Sequence, residues 1–189
     1  MGDREFKPLL GTFELALFMA AGVKRFPVNP RAARISFLVP IALLFFWVYP
    51  LHRVPTEILG ERGYGELVLI HGGILAIHLT VFLFILWAVA RQLGKAESFW
   101  PVVTMNNFCS IAGFVLMLPL FAMVIAGRHT WEEIFNALIL ISFYELALTA
   151  YVITRGMNVP WQFGTGLAFV SMFIANSAST TVFALAGIG

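Results

Sequence analysis

Five long apolar stretches set the terms on which this chain can fold. They run over residues 35–51, 67–90, 101–126, 134–153 and 163–188. Crossing about 30 Å of hydrocarbon takes about 20 apolar residues in a helix that rises 1.5 Å per residue. The first stretch is at the short limit and the other four reach or exceed that length. Lipid offers no partner for backbone N–H and C=O groups, so a spanning segment must satisfy its own, and an α-helix does so. The composition agrees. The chain is 60% hydrophobic and 12% charged, against about 45–50% and 25% in soluble domains. The sequence therefore predicts an all-α, polytopic membrane helix bundle with five transmembrane helices and a preceding interfacial amphipathic helix.

That preceding helix comes from residues 1–34. Residues 9–23 are apolar apart from Thr12 and Glu14, and Lys24, Arg25, Arg31 and Arg34 follow. The apolar run is too short to span. A helix lying in the membrane interface fits it, with the four basic residues contacting lipid headgroups; a re-entrant segment is the alternative. Pro27 and Pro30 break the chain before the first span. Residues 1–34 are thus expected as a basic cytoplasmic segment, and residues 35–189 as the transmembrane domain.

Lys and Arg also set the orientation. Arg4, Lys7, Lys24, Arg25, Arg31 and Arg34 precede the first span. With the N-terminus inside, nine of the twelve basic residues fall on the inner side. The expectation is N-terminus cytoplasmic and C-terminus outside. No cleavable signal peptide is evident, and the single cysteine, Cys109, excludes an internal disulfide.

Glu145 is the one ionisable residue of the fourth stretch. A carboxylate at a helix centre costs about 2.5–3.5 kcal/mol on insertion scales, so it is expected to face the bundle interior. Ser142 and Thr149 lie on the same helical stripe. His71 and His78, seven residues apart, share a face of the second span. At 1.5 Å per residue, His78 and Glu145 each lie about 16 Å from the outer end of their helices, so a bond between them is geometrically allowed. On the third span Asn106, Ser110 and Gly113 form a stripe, with Asn107 and Cys109 beside it. Glu145, His78, Ser142, Thr149, Asn106 and Ser110 are the candidate polar site. Each also has a plain structural role available, since membrane helices use polar side chains as packing contacts.

The fifth span carries small residues at spacings of four, three, four and three: Gly164, Ala168, Ser171, Ala175 and Ala178. Such a seam lets two backbones approach closely, inside the bundle or against another chain. With Asn176, Ser179 and Thr180 it is the candidate partner or packing surface.

Other chemistry is not expected. Two histidines on one face of one helix cannot ligate a haem from both sides, and His52 and His129 follow no metal-ligand spacing. No cofactor or metal is expected. GxSxG, HExxH, CxxC and P-loop motifs are absent, and the net charge of +2 gives no case for nucleic acid.

Residues 18–30, with Arg25-Phe26-Pro27, and the third span, with Trp100-Pro101, Asn106-Asn107 and Pro119-Leu120, resemble bacterial members of the Yip1-like integral membrane family. The resemblance implies a bacterial inner-membrane protein that is non-catalytic and acts as scaffold, accessory subunit or membrane-organising factor. Its partners would be lipids and other membrane subunits or itself. The alternative is a small proton-coupled transporter that uses Glu145 as its intramembrane carboxylate.

Overall fold

The computed structural model describes residues 7–26, 28–56 and 59–188. Arg4 and Pro27 lie outside them. Among the described residues seven α-helices form: α1 (Pro8–Ala16), α2 (Pro30–Ser36), α3 (Leu38–Arg53), α4 (Tyr64–Gln92), α5 (Phe99–Ile125), α6 (Trp131–Met157) and α7 (Trp161–Leu185). Five stretches are long and apolar enough to cross a membrane: Pro30–Arg53, Tyr64–Gln92, Ala96–Ile125, Trp131–Met157 and Trp161–Leu185. They match the five apolar runs of the sequence. Most start a few residues earlier, because polar and aromatic end residues continue the helix beyond the apolar core.

Local chemistry fixes several ends. Asn29 caps α2, accepting from the Arg31 N–H at 2.8 Å, with Pro30 in the first turn where its missing N–H costs nothing. Thr130 and Glu133 form a capping box at the start of α6, each side chain bonding the other's backbone N–H. Asn158 ends α6 in the left-handed region at φ 50°, a conformation that asparagine tolerates well. Lys95 from the α4–α5 connection donates to the Asn158 carbonyl at 2.8 Å.

The five spans close into a ring. In order around it, α3 packs on α4, α4 on α7, α7 on α6, α6 on α5, and α5 back on α3. Short connections make neighbours of α3 and α4, of α5 and α6, and of α6 and α7. The consecutive pair α4 and α5 is the exception, because α7 inserts beside α4 and takes the larger contact. Glycines allow the closest approaches. Gly156 on α6 lies against Val102 and Met105 of α5, and Gly164 on α7 lies against Thr154 and the Ala150 carbonyl of α6. A side chain at either place would overlap its neighbour.

Two apolar clusters fill the ring at different heights. Toward the face that carries α1, Phe82, Leu86, Val102, Met105, Leu148, Val152 and Met157 are buried together. Toward the opposite face, Val48, Leu51, Leu67 and Ile70 are buried with Leu59 and Ile188.

The amino-terminal stretch is not one continuous helix. α1 ends at Ala16, Phe18 turns the chain at φ 56°, and a 3-10 helix returns over Ala20–Arg25. The two arms approach at Gly11 and Gly22, where added methyl groups would overlap Phe26 and Leu15. Leu15 and Phe26 are fully buried. Glu14 and Arg25 lock the arms with two hydrogen bonds of 3.0 and 3.2 Å. The hairpin packs on α5 and α6. Its tip, Phe18, sits edge-on to Tyr144 and Tyr151, and the Tyr144 hydroxyl donates to the Ala16 carbonyl at 2.8 Å. Tyr144 is the middle residue of α6, about 20 Å from either end at 1.5 Å per residue. The tip thus reaches the middle of α6, while Leu9, Phe13 and Leu17 face outward. At the base Lys24, Arg31 and Arg34 are exposed and free to meet headgroups, whereas Arg25 is committed to Glu14.

Candidate functional site

A cavity of about 330 Å³ lies between the two apolar clusters, and all five spans contribute to its wall. Most of the wall is apolar and aromatic, including Leu43, Trp47 and Phe114. Five side chains bring polar atoms to it: Glu145 from α6, His71 and His78 from α4, Ser110 from α5 and the indole N–H of Trp47 from α3. Ala175 closes it from α7.

Glu145 enters over a gap in α5. Its carboxyl group rests against Gly113, where even one methyl group would overlap it. Glycine at this place is therefore what lets the carboxylate reach the cavity. Among the described residues no Lys, Arg or His lies within 4 Å of it to form an ion pair.

The bond allowed between His78 and Glu145 does not form. His78 Nε2 lies 2.9 Å from Ser171 Oγ on α7, and its ring stacks on Phe82. α7 stands between α4 and α6, so the nearer partner wins, although both side chains reach the same cavity. His71 Nδ1 lies 3.0 Å from the Leu67 carbonyl. A carbonyl can only accept, so Nδ1 holds the ring proton and Nε2 is left as an acceptor. Ser110 donates to the Asn107 carbonyl at 2.6 Å, which leaves its oxygen lone pairs to accept.

The other expected residues separate. Ser142 is exposed, its hydroxyl turned back to the Leu138 carbonyl at 3.0 Å, so it leaves the Glu145 stripe. Thr149 is half-buried and lies outside the cavity wall. Asn106 is half-buried, and the buried amide is its neighbour Asn107. Asn107 donates to Ser36 Oγ on α2 at 2.9 Å, and Ser36 passes the bond to the Ala33 carbonyl at 2.7 Å. This chain ties the amino-terminal segment to α5. A polar residue two before Cys109 on an otherwise apolar helix face was its one signal in the sequence.

The seam on α7 turns inward. Gly164, Ala168 and Ala178 are buried, Ser171 holds His78, and Ala175 lines the cavity. The same helix shows Asn176 and Thr180 to the outside, with Ser179 half-buried. The hydroxyls of Ser179, Thr180 and Thr181 bond to carbonyls one turn back in their own helix. The Asn176 amide is thus exposed in the middle of α7, as that of Gln162 is at its start.

Among the described residues no three His, Cys, Asp or Glu side chains converge as metal ligands would. A second hollow, on the face opposite α1, is lined by Val54, Pro55, Gly127 and residues of the α6 capping box. It holds two carboxylates, Glu132 and Glu133, both in the first turn of α6. Glu133 accepts from the Thr130 N–H at 3.0 Å and lies 3.1 Å from His129 Nδ1, so it is engaged in capping the start of the helix. Comparison with family models, with characterised proteins and with solved structures gave no match.

Proposed function

We propose that the protein is a small permease-type membrane protein that admits a solute to the open cavity lined by its five spans. It works without covalent catalysis, and Glu145 is the carboxylate that senses the solute or a proton. The observation that carries this reading is the cavity itself, with a carboxyl group that lacks a cationic partner at a height where every span contributes wall. Placing such a group in a bilayer is costly. If it only tied helices together, a bonding partner on the neighbouring helix would be expected, as His78 has in Ser171. The excess of Lys and Arg before the first span supports a cytoplasmic N-terminus. The hairpin and the larger apolar cluster then lie on the inner side, and the cavity sits at mid-depth and outward.

The test is access. A permease cavity must be reachable from water on at least one side in some state of the cycle. In a Cys109→Ala background, the thiol introduced by Ala175→Cys is expected to react with a small, water-soluble methanethiosulfonate reagent in proteoliposomes. A thiol that stays unreactive until the protein is denatured would overturn the reading.

A second reading, to which the Yip1-like resemblance belongs, is a scaffold or accessory subunit of a bacterial inner-membrane assembly. The outward-facing Asn176 amide favours it, since an amide facing lipid gains from a partner helix. Native mass measurement of the protein extracted in mild detergent separates the two. A stoichiometric second subunit supports the scaffold, and a monomer supports the permease.

A further inference from the structure

Apart from the Trp47 indole N–H and the His78 ring, the polar groups of the cavity accept. Glu145 offers carboxylate oxygens, His71 offers Nε2 because Nδ1 is spent on the Leu67 carbonyl, and the Ser110 hydroxyl proton is spent on the Asn107 carbonyl. His78 Nε2 is engaged by the Ser171 hydroxyl. No described Lys or Arg lines the cavity. Around these acceptors the wall is apolar, and Trp47 and Phe114 present aromatic faces. We propose that the cavity binds an organic ammonium: a positively charged nitrogen with hydrogens to donate, carried on a compact apolar body. This rests on the permease reading and names its solute class.

Each alternative lacks a feature that the cavity would have to supply. An anion would meet a carboxylate and no cation. A hard divalent ion such as Ca2+ needs six or more oxygen ligands, where the wall offers one carboxyl and one hydroxyl, and among the described residues no three His, Cys, Asp or Glu side chains converge as a transition-metal site needs. A neutral apolar molecule would leave Glu145 unpaired in a low-dielectric site. An ammonium answers each group at once. Its charge pairs with Glu145, its N–H donors reach acceptors, its charge is attracted to the aromatic faces, and its body fills the apolar remainder. The volume of about 330 Å³ falls at the small end of the range of about 300–1,000 Å³ for small-molecule sites. It suits a ligand with a compact fused-ring or cage body.

The probe is 1-adamantylammonium, and the control is 1-adamantanol, which has the same shape and no charge. Binding is measured by calorimetry on the intact protein in phosphatidylcholine nanodiscs at neutral pH, with empty nanodiscs subtracted. Saturable binding of the ammonium is expected, roughly tenfold or more tighter than the alcohol, the equivalent of about 1.4 kcal/mol. Glu145→Gln is expected to erase the difference between the two. Equal binding of both compounds overturns the ammonium class and leaves a solute-binding cavity standing. Binding of neither overturns the ammonium class as well, and the Ala175→Cys access test then decides the permease reading separately. The native-protein comparison needs no variant, so a folding defect in Glu145→Gln does not blunt it.

Discussion

The carboxyl group of Glu145 on α6 occupies the space that a side chain at Gly113 on α5 would fill. The two residues are therefore a matched pair across one helix contact. Gly113→Ala forces either the carboxyl group or the helix to move, and overpacking of this kind costs about 1–3 kcal/mol. Thermal unfolding of the detergent-solubilised protein, followed by the fraction that stays monodisperse, measures the loss. The pair should be strongly coupled: with Glu145→Ala present, Gly113→Ala should cost little, because the overlap is gone. Additive losses would show that Gly113 matters for another reason.

A second prediction concerns pH and the hairpin. The Arg25 guanidinium, hydrogen-bonded to Glu14, holds that carboxyl below its ordinary value. A carboxylate depressed in the folded state adds stability that is fully present above the unfolded value and is lost as pH falls through the folded one. Hydrogen exchange over residues 8–25 should therefore show protection at neutral pH that declines only under acid, below the usual carboxylate range. Glu14→Gln should flatten that dependence and raise exchange at neutral pH. An unchanged acid profile in the variant would place the sensitive group elsewhere.

Much of this architecture was legible because hydropathy and length report on the bilayer directly. The spans needed no knowledge of their neighbours. The ring order was not legible, because it depends on which helices can approach. The small residues of α7 signalled close packing without saying against what. They settle between α4 and α6, and that choice gives His78 its partner Ser171 and denies it Glu145. Counting residues along each helix allowed His78 and Glu145 to meet, and both do line one cavity, but depth carries no azimuth. The hairpin was half visible. Gly11, Glu14, Gly22 and Arg25 were the residues able to close it, but an apolar run of that length also reads as a surface helix. Asn106 was favoured over Asn107 because it continued a helical stripe, and the nearby α2 helix, which no periodicity announces, made Asn107 the buried one.

That substitution of one asparagine for another gives a third prediction. Asn107 is 3% exposed, and its amide supplies the Ser36 hydroxyl with a donor. Asn107→Ala takes the donor from the buried Ser36 oxygen, whose hydroxyl still bonds the Ala33 carbonyl, and should cost about 1–2 kcal/mol, near the upper range for polar contacts between membrane helices. Asn106→Ala should stay within about 0.5 kcal/mol, as surface changes usually do. Parallel thermal melts of the two variants decide it, and equal losses would count against the Asn107–Ser36 link.

The contact between His78 and Ser171 carries the last prediction. It joins α4 to α7 at the edge of the cavity, with 2.9 Å between Nε2 and Oγ. Cycles on such pairs in membrane proteins average about 0.6 kcal/mol and reach about 1.7. A cycle of Ser171→Ala, His78→Ala and the double variant should return a coupling in that range. The single losses should also differ in kind. Ser171→Ala keeps the volume of the seam nearly unchanged and frees the imidazole for the cavity, where it gains access to Glu145. It should therefore lose little stability and change the affinity of any cavity ligand. His78→Ala removes the ring that stacks on Phe82 and should cost more, about 2 kcal/mol or above, as large core truncations do. If the two single variants lose the same stability and leave ligand affinity alike, the bond is a packing contact and the cavity does not depend on where the imidazole points.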